Sequence, residues 1–142
     1  MKLFRLFAFF LITSSFAGDK EKILHDINNY RLRHLLLPLK LDEQLNQIAL
    51  EHSQNMAQHT VPVGHTGFQE RFSKIRAKIP GTRLAAENVA AGYNNVDLVI
   101  SGWINSPGHR QNILGRYNLT GIAIAYDKHN TPYYTQVFAK NN

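Results

Sequence analysis

The sequence predicts an α+β domain in which helices come first and an antiparallel hairpin closes the chain. Three observations point there. Apolar residues recur at helical spacing through much of the first two thirds of the chain. Strand-forming residues concentrate in two late runs, Leu119 to Tyr126 and Tyr133 to Phe138. Turn formers, Asp127-Lys128-His129-Asn130, separate those runs. Helices followed by strands pack as helices against a small antiparallel sheet. A chain of 142 residues has room for one such domain, since domains usually run to about 100–150 residues.

The first segment reads as an address. Lys2 and Arg5 precede the unbroken apolar run Leu6 to Ile12, and Ser15-Phe16-Ala17 offers small residues where a signal peptidase reads them. Residues 1–17 are therefore expected to be a secretory signal and 18–142 a single domain. The apolar run is shorter than the roughly 20 residues that span a bilayer, and no other segment of the mature chain is expected to cross one. Export to the periplasm or the outside is the expected localisation.

Ile23, Leu24, Ile27 and Tyr30 predict a first helix over about 20–35, ended by Leu35-Leu36-Leu37-Pro38. Asp42 is the N-cap of a second, reaching about His59, with Leu45, Ile48, Ala49, His52 and Met56 inward. His52 reads as a hydrogen-bonded core histidine. From Phe68 a third helix carries Phe68, Phe72, Ile75 and Ile79 on one stripe. Arg71, Lys74 and Lys78 lie on another, read either as a solvated face or as a contact for an anionic surface. Pro80-Gly81 stops it. Leu84 to Gly92 suits a buried extended or short helical stretch. Asn95 or Asp97 starts a helix with Leu98, Val99, Trp103 and Ile104 inward. Ser106-Pro107 opens a short one, with serine as cap and proline at the first helical position.

Composition narrows the function. The absence of cysteine excludes disulfide scaffolds, thiolate zinc fingers, redox CxxC pairs and cysteine nucleophiles. A net charge of +6 permits an anionic partner. Nucleic acid is not expected, because the chain reads as exported and lacks interleaved aromatic and basic residues. No HExxH motif is present, and Ser106 lacks a G-x-S-x-G context.

Several ordered stretches carry a resemblance. Asn28-Asn29-Tyr30-Arg31, Gly64-His65-Thr66-Gly67-Phe68, Ala86-Glu87-Asn88-Val89-Ala90, and above all Trp103 through Leu114 (WINSPGHRQNIL) resemble motifs of the CAP superfamily. These are the cysteine-rich secretory, antigen 5 and pathogenesis-related 1 proteins, also called SCP domains. Tyr134-Thr135-Gln136-Val137-Phe138 resembles the family's last strand. The lack of cysteine resembles bacterial members. The resemblance implies a three-layer α-β-α sandwich with a small, mainly antiparallel sheet. It also implies a cleft tetrad of two histidines and two acids: His65, Glu70, Glu87 and His109, with Asn88 and Ser106 in the same motifs.

Two neutral imidazoles, His65 and His109, can each offer a nitrogen to Zn²⁺ or another divalent cation, with carboxylates beside them. Three readings stay open. One is a secreted binding module whose cleft holds a metal and a lipid, sterol or peptide. Another is a metal-dependent hydrolase or protease. The third is an envelope or host-surface interaction protein with a purely structural tetrad. Whether the protein is an enzyme is left undecided by the sequence.

Overall fold

The computed structural model describes residues 13–142, with side chains from Gly18 onward. Of the expected secretory signal, residues 1–17, the first twelve lie outside the described residues. The elements run α1 (Thr13–Arg33), β1 (Lys40–Leu41), α2 (Glu43–Ala57), α3 (Phe68–Lys78), β2 (Leu84–Ala91), α4 (Val96–Asn105), α5 (Pro107–Ile113), β3 (Leu119–Tyr126) and β4 (Pro132–Lys140). Helix α1 begins earlier than its apolar periodicity indicated. The segment 84–91 is extended, and β1 is a two-residue strand too short to leave a pattern.

The sheet has strand order β1-β3-β4-β2. Only the β1–β3 pair is parallel; β3–β4 and β2–β4 are antiparallel, as the hairpin reading expected. Strand β4 is buried along nearly its whole length and serves both faces. Tyr134 and Phe138 join Ile23, Ile27, Val99, Trp103 and Ile113, under α1, α4 and α5. Val137 and Ala139, pointing the other way, join Leu45, Ile48, Ala49, Ile75 and Ile79 under α2 and α3. Period-two alternation on a doubly covered strand thus produces three layers.

Helix α2 lies close against the sheet. A Cβ built on Gly121 would collide with the backbone carbonyl of Leu45, so only glycine fits there. Asp42 caps α2 by accepting from Leu45 N at 3.0 Å, and Asn95 caps α4 by accepting from Leu98 N at 3.1 Å.

The two polar residues of the Asn28-x-x-Arg31 motif act as clamps. Asn28 brackets the backbone of Leu39, accepting from its N–H at 2.7 Å and donating to its carbonyl at 3.0 Å. The Arg31 guanidinium, buried, donates to the carbonyls of Leu37, Ile113, Gly115 and Tyr117 at 2.7–3.1 Å. Four backbone carbonyls are thereby satisfied by one side chain.

Candidate functional site

Among the described residues strand β2 pairs only with β4 and is an edge of the sheet. Its outer carbonyls are covered: Asn112 Nδ2 donates to Glu87 O at 3.2 Å, and Trp103 Nε1 donates to Val89 O at 3.1 Å. Successive residues on this strand point to opposite faces. Glu87 meets residues from the α2–α3 layer, whereas Asn88 meets α5. The candidate site wraps around this rim.

On the first side, the Glu87 side chain is almost wholly buried and accepts three hydrogen bonds. His65 Nδ1 donates to Oε1 at 3.0 Å, Arg71 Nη2 to Oε1 at 2.5 Å, and Arg71 Nε to Oε2 at 2.9 Å. Arg71 also donates to Thr66 O at 2.8 Å, fixing the loop that carries His65. Behind them His52, buried on α2, donates from Nε2 to Gly64 O at 2.7 Å, and that nitrogen lies 3.9 Å from Glu87 Oε1. Burial pushes His52 below the ordinary imidazole value, with the Arg71 cation adding to the effect against the Gly64 hydrogen bond. The core-histidine reading of His52 thus holds, and the ring also supports the site loop.

On the other side, Asn88 Nδ2 donates to His109 O at 3.1 Å, and Asn112 Nδ2 donates to Asn88 Oδ1 at 2.9 Å. Asn88 and Asn112 therefore seat α5 against β2. His109 Nδ1 and Ser106 Oγ share a hydrogen bond of 2.8 Å. Ser106 is the N-cap of α5 by position, but its hydroxyl makes no capping bond and holds the His109 ring instead. Burial pushes His109 below the ordinary imidazole value, and the neighbouring His65 adds to the shift.

Of the expected tetrad, His65 and Glu87 share a hydrogen bond, and His109 sits on α5 at the other side of the rim. Glu70 is exposed in the first turn of α3, with no hydrogen bond to those three. At about 100° per residue along α3, Arg71 is the side chain that reaches Glu87 on β2. The partner that α3 gives Glu87 is thus a cation. Of the cationic stripe, Arg71 turns inward to Glu87, while Lys74 stays at the surface and pairs with Glu51 at 2.8 Å. Arg71 shares the spacing of Ile75 and Ile79, both buried, and that spacing was the available signal.

A pocket of about 190 Å³ borders the site, lined by His52, Thr66, Glu70 and Arg71 among others. A larger one of about 320 Å³ lies between α2 and α3, around Ile48, Glu51 and Lys74, away from the histidine pair. His65 itself is about half exposed, so the rim is open. Among the described residues, no group of three or more His, Cys, Asp or Glu side chains is arranged to hold a metal ion. No helix among them is long and apolar enough to cross a membrane.

Comparison with known proteins places this arrangement. The chain is 31% identical over 118 residues to the uncharacterized protein YkwD of Bacillus subtilis (strain 168), covering 80% of this chain and 44% of that protein. It thus spans less than half the length of that relative. Among solved structures, an outer surface protein from Borrelia burgdorferi matches with a TM-score of 0.78 at 21% identity, over 88% of this chain and 94% of that one. An extracellular protein containing a SCP domain from Bacillus anthracis str. Ames matches with a TM-score of 0.75 at 27% identity, over 92% of this chain and 43% of that one. The profile of the Cysteine-rich secretory protein family matches residues 24–138, a span that takes in all three layers and both sides of the β2 rim. With the sandwich, the motif order and that match in agreement, the chain belongs to the CAP family.

Proposed function

We propose that this chain is an exported binding module whose rim site takes the polar end of a lipid or peptide ligand between His65 and His109. The observation that carries the reading is the condition of Glu87. Its two oxygens accept three hydrogen bonds from Arg71 and His65, so the carboxylate anchors the site rather than standing free as a general base. Glu87 orients the His65 ring through Nδ1, and Ser106 orients His109 through Nδ1. The Nε2 edge of each ring is then the hydrogen-bonding face left for a ligand, and the half exposure of His65 gives access to it.

A divalent cation such as zinc would be an exchangeable guest here. His65 and His109 would hold it, while the buried Arg71–Glu87 pair leaves no carboxylate oxygen uncommitted. Two nitrogens fall short of the four ligands of a closed structural centre. When bound, the ion would supply Lewis-acid polarisation of a ligand oxygen.

Hydrolysis is the second reading, favoured by one observation: the Ser106–His109 hydrogen bond, with His109 held towards its neutral form. Against it, the acid that would orient a catalytic base sits on His65 instead. Labelling of Ser106 by a fluorophosphonate would establish this alternative.

The test of the binding reading is ring-proton NMR and thermal unfolding with three probes: Zn²⁺, a short-chain phosphatidylglycerol below its micelle concentration, and cholesteryl sulfate. The expected result is that at least one probe shifts the His65 and His109 rings and raises Tm in the wild type, and neither in His65→Ala/His109→Ala. Equal responses in the two proteins, or none in either, would overturn it. Export is checked separately, by whether the secreted protein begins at Gly18.

A further inference from the structure

We propose that the loop following α1 is a lipid-binding prong, which inserts Leu35 and Leu37 into the interface of an anionic phospholipid bilayer. The loop has an unusual design. Leu36 N donates to Arg31 O and Leu35 N to Leu32 O, both at 3.0 Å. This pair of bonds closes a helix with its next residue in the left-handed region, a place where glycine is usual. Here that residue is Leu35, at φ 60°. A side chain in this conformation carries strain, which burial would offset. Leu35 is instead 95% exposed, and Leu37 is 82% exposed. Folding gains nothing from either position.

The loop is held, not loose. Arg31 Nε donates to Leu37 O at 3.0 Å, and Asn28 clamps both backbone groups of Leu39. The leucines therefore project from a fixed base. The same Arg31 holds Gly115 O and Tyr117 O, which sets exposed Arg116 in the adjoining loop.

Charge names the partner. No Asp or Glu occurs between Asp26 and Asp42, nor between Asp97 and Asp127. The cations on these two stretches include Arg33, Lys40 and Arg116, all exposed. Leucines at the tip with cations around the base match a bilayer whose headgroups are anionic and whose interior is apolar. A second copy fits less well. A few leucine side chains fall far short of the roughly 1,000 Å² that a specific protein interface buries, and the surrounding like charges would repel one another.

The experiment uses the full chain with Leu37→Trp, whose only other tryptophan, Trp103, is buried. Vesicles of phosphatidylcholine alone are compared with vesicles containing phosphatidylglycerol. The expected result is a blue shift of the new tryptophan with the anionic vesicles only, lost at high salt. In sedimentation with the same vesicles, Leu35→Gly/Leu37→Ser should bind roughly tenfold or more weakly than wild type, since most of the inserted apolar surface is gone; both chains keep the same N-terminal segment. Leu35→Gly alone should leave Tm unchanged or raised, which shows that the fold survives. Unchanged emission with anionic vesicles, equal sedimentation of the variant, or a blue shift produced by raising protein concentration without lipid would each overturn the proposal.

Discussion

Arg71 grips Glu87 side-on, with Nε on one carboxylate oxygen at 2.9 Å and Nη2 on the other at 2.5 Å. The carboxylate is almost fully buried, and the guanidinium is mostly so. Removing one member of such a pair strands the other's charge away from water, which costs more than the pair itself contributes. Arg71→Met is therefore expected to lower stability by about 3 kcal/mol, and Arg71→Met/Glu87→Gln to recover most of the loss. Urea denaturation of the two variants checks this. Equal destabilisation in both would contradict it.

The two depressed histidines predict a pH dependence. His52 and His109 lie below the ordinary imidazole value chiefly because burial disfavours the charged ring. The unfolded chain then binds protons at these positions more readily than the folded one. Their full contribution is present above about pH 6.5, is lost as pH falls from there to the folded-state values, and levels off below them. The carboxylates of Asp26, Glu43 and Asp127, which are lowered by hydrogen bonds, act in a more acid range. Unfolding free energy should thus be smaller at about pH 5 than at about pH 7.5. Ring-proton titrations placing both histidines at or above about pH 6.5 would remove the basis for this.

Arg31 is a structural bolt rather than a site residue. Lysine keeps the charge but cannot reach four carbonyls with a planar fork. Arg31→Lys is expected to cost about 3 kcal/mol and to increase hydrogen exchange in residues 34–39 and 113–117 together, since both segments hang from the same side chain. Exchange limited to one segment would show that the two are held independently.

Gly121→Ala should cost at least about 3 kcal/mol, because its new methyl would meet the backbone of α2 and not a movable side chain. Thermal unfolding reads this directly, and a Tm indistinguishable from wild type would mean that α2 sits further from the sheet.

Zinc gives a prediction of its own. If the rings of His65 and His109 hold the ion, Zn²⁺ at about 100 times its dissociation constant adds about 2.7 kcal/mol to the stability of the wild type. The increment should vanish in His109→Ala and largely remain in Glu70→Gln, since Glu70 makes no hydrogen bond to either histidine. A loss of the increment in Glu70→Gln would return that acid to the site.

Much of the fold was legible because apolar spacing and caps act locally. Asp42 caps its helix as read, Asn95 proves to be the cap of the two residues offered for α4, and the hairpin falls close to its expected limits. Motif order also named His65 and Glu87, which share a hydrogen bond of 3.0 Å, and His109, which α5 carries on the other side of β2. Arg71 was not legible, because its helical spacing fits Lys74 and Lys78 as well as Ile75 and Ile79, and only the distance to β2 decides between them. The pairing of Ser106 with His109 was hidden for a similar reason: a serine before proline reads as a cap whether or not its hydroxyl is used.

The rim position of the site has a consequence for assembly. Glu87 and Asn88 stand opposite Val137 and Gln136, and each needs its own side of the sheet. Were β2 to add to β4 one residue out of step, the acid would be thrust among the aromatic packing around Trp103 and the amide would lose both its partners on α5. A misaligned molecule would therefore be penalised by the same two side chains that build the rim, so quality control of strand pairing and readiness of the site are one event.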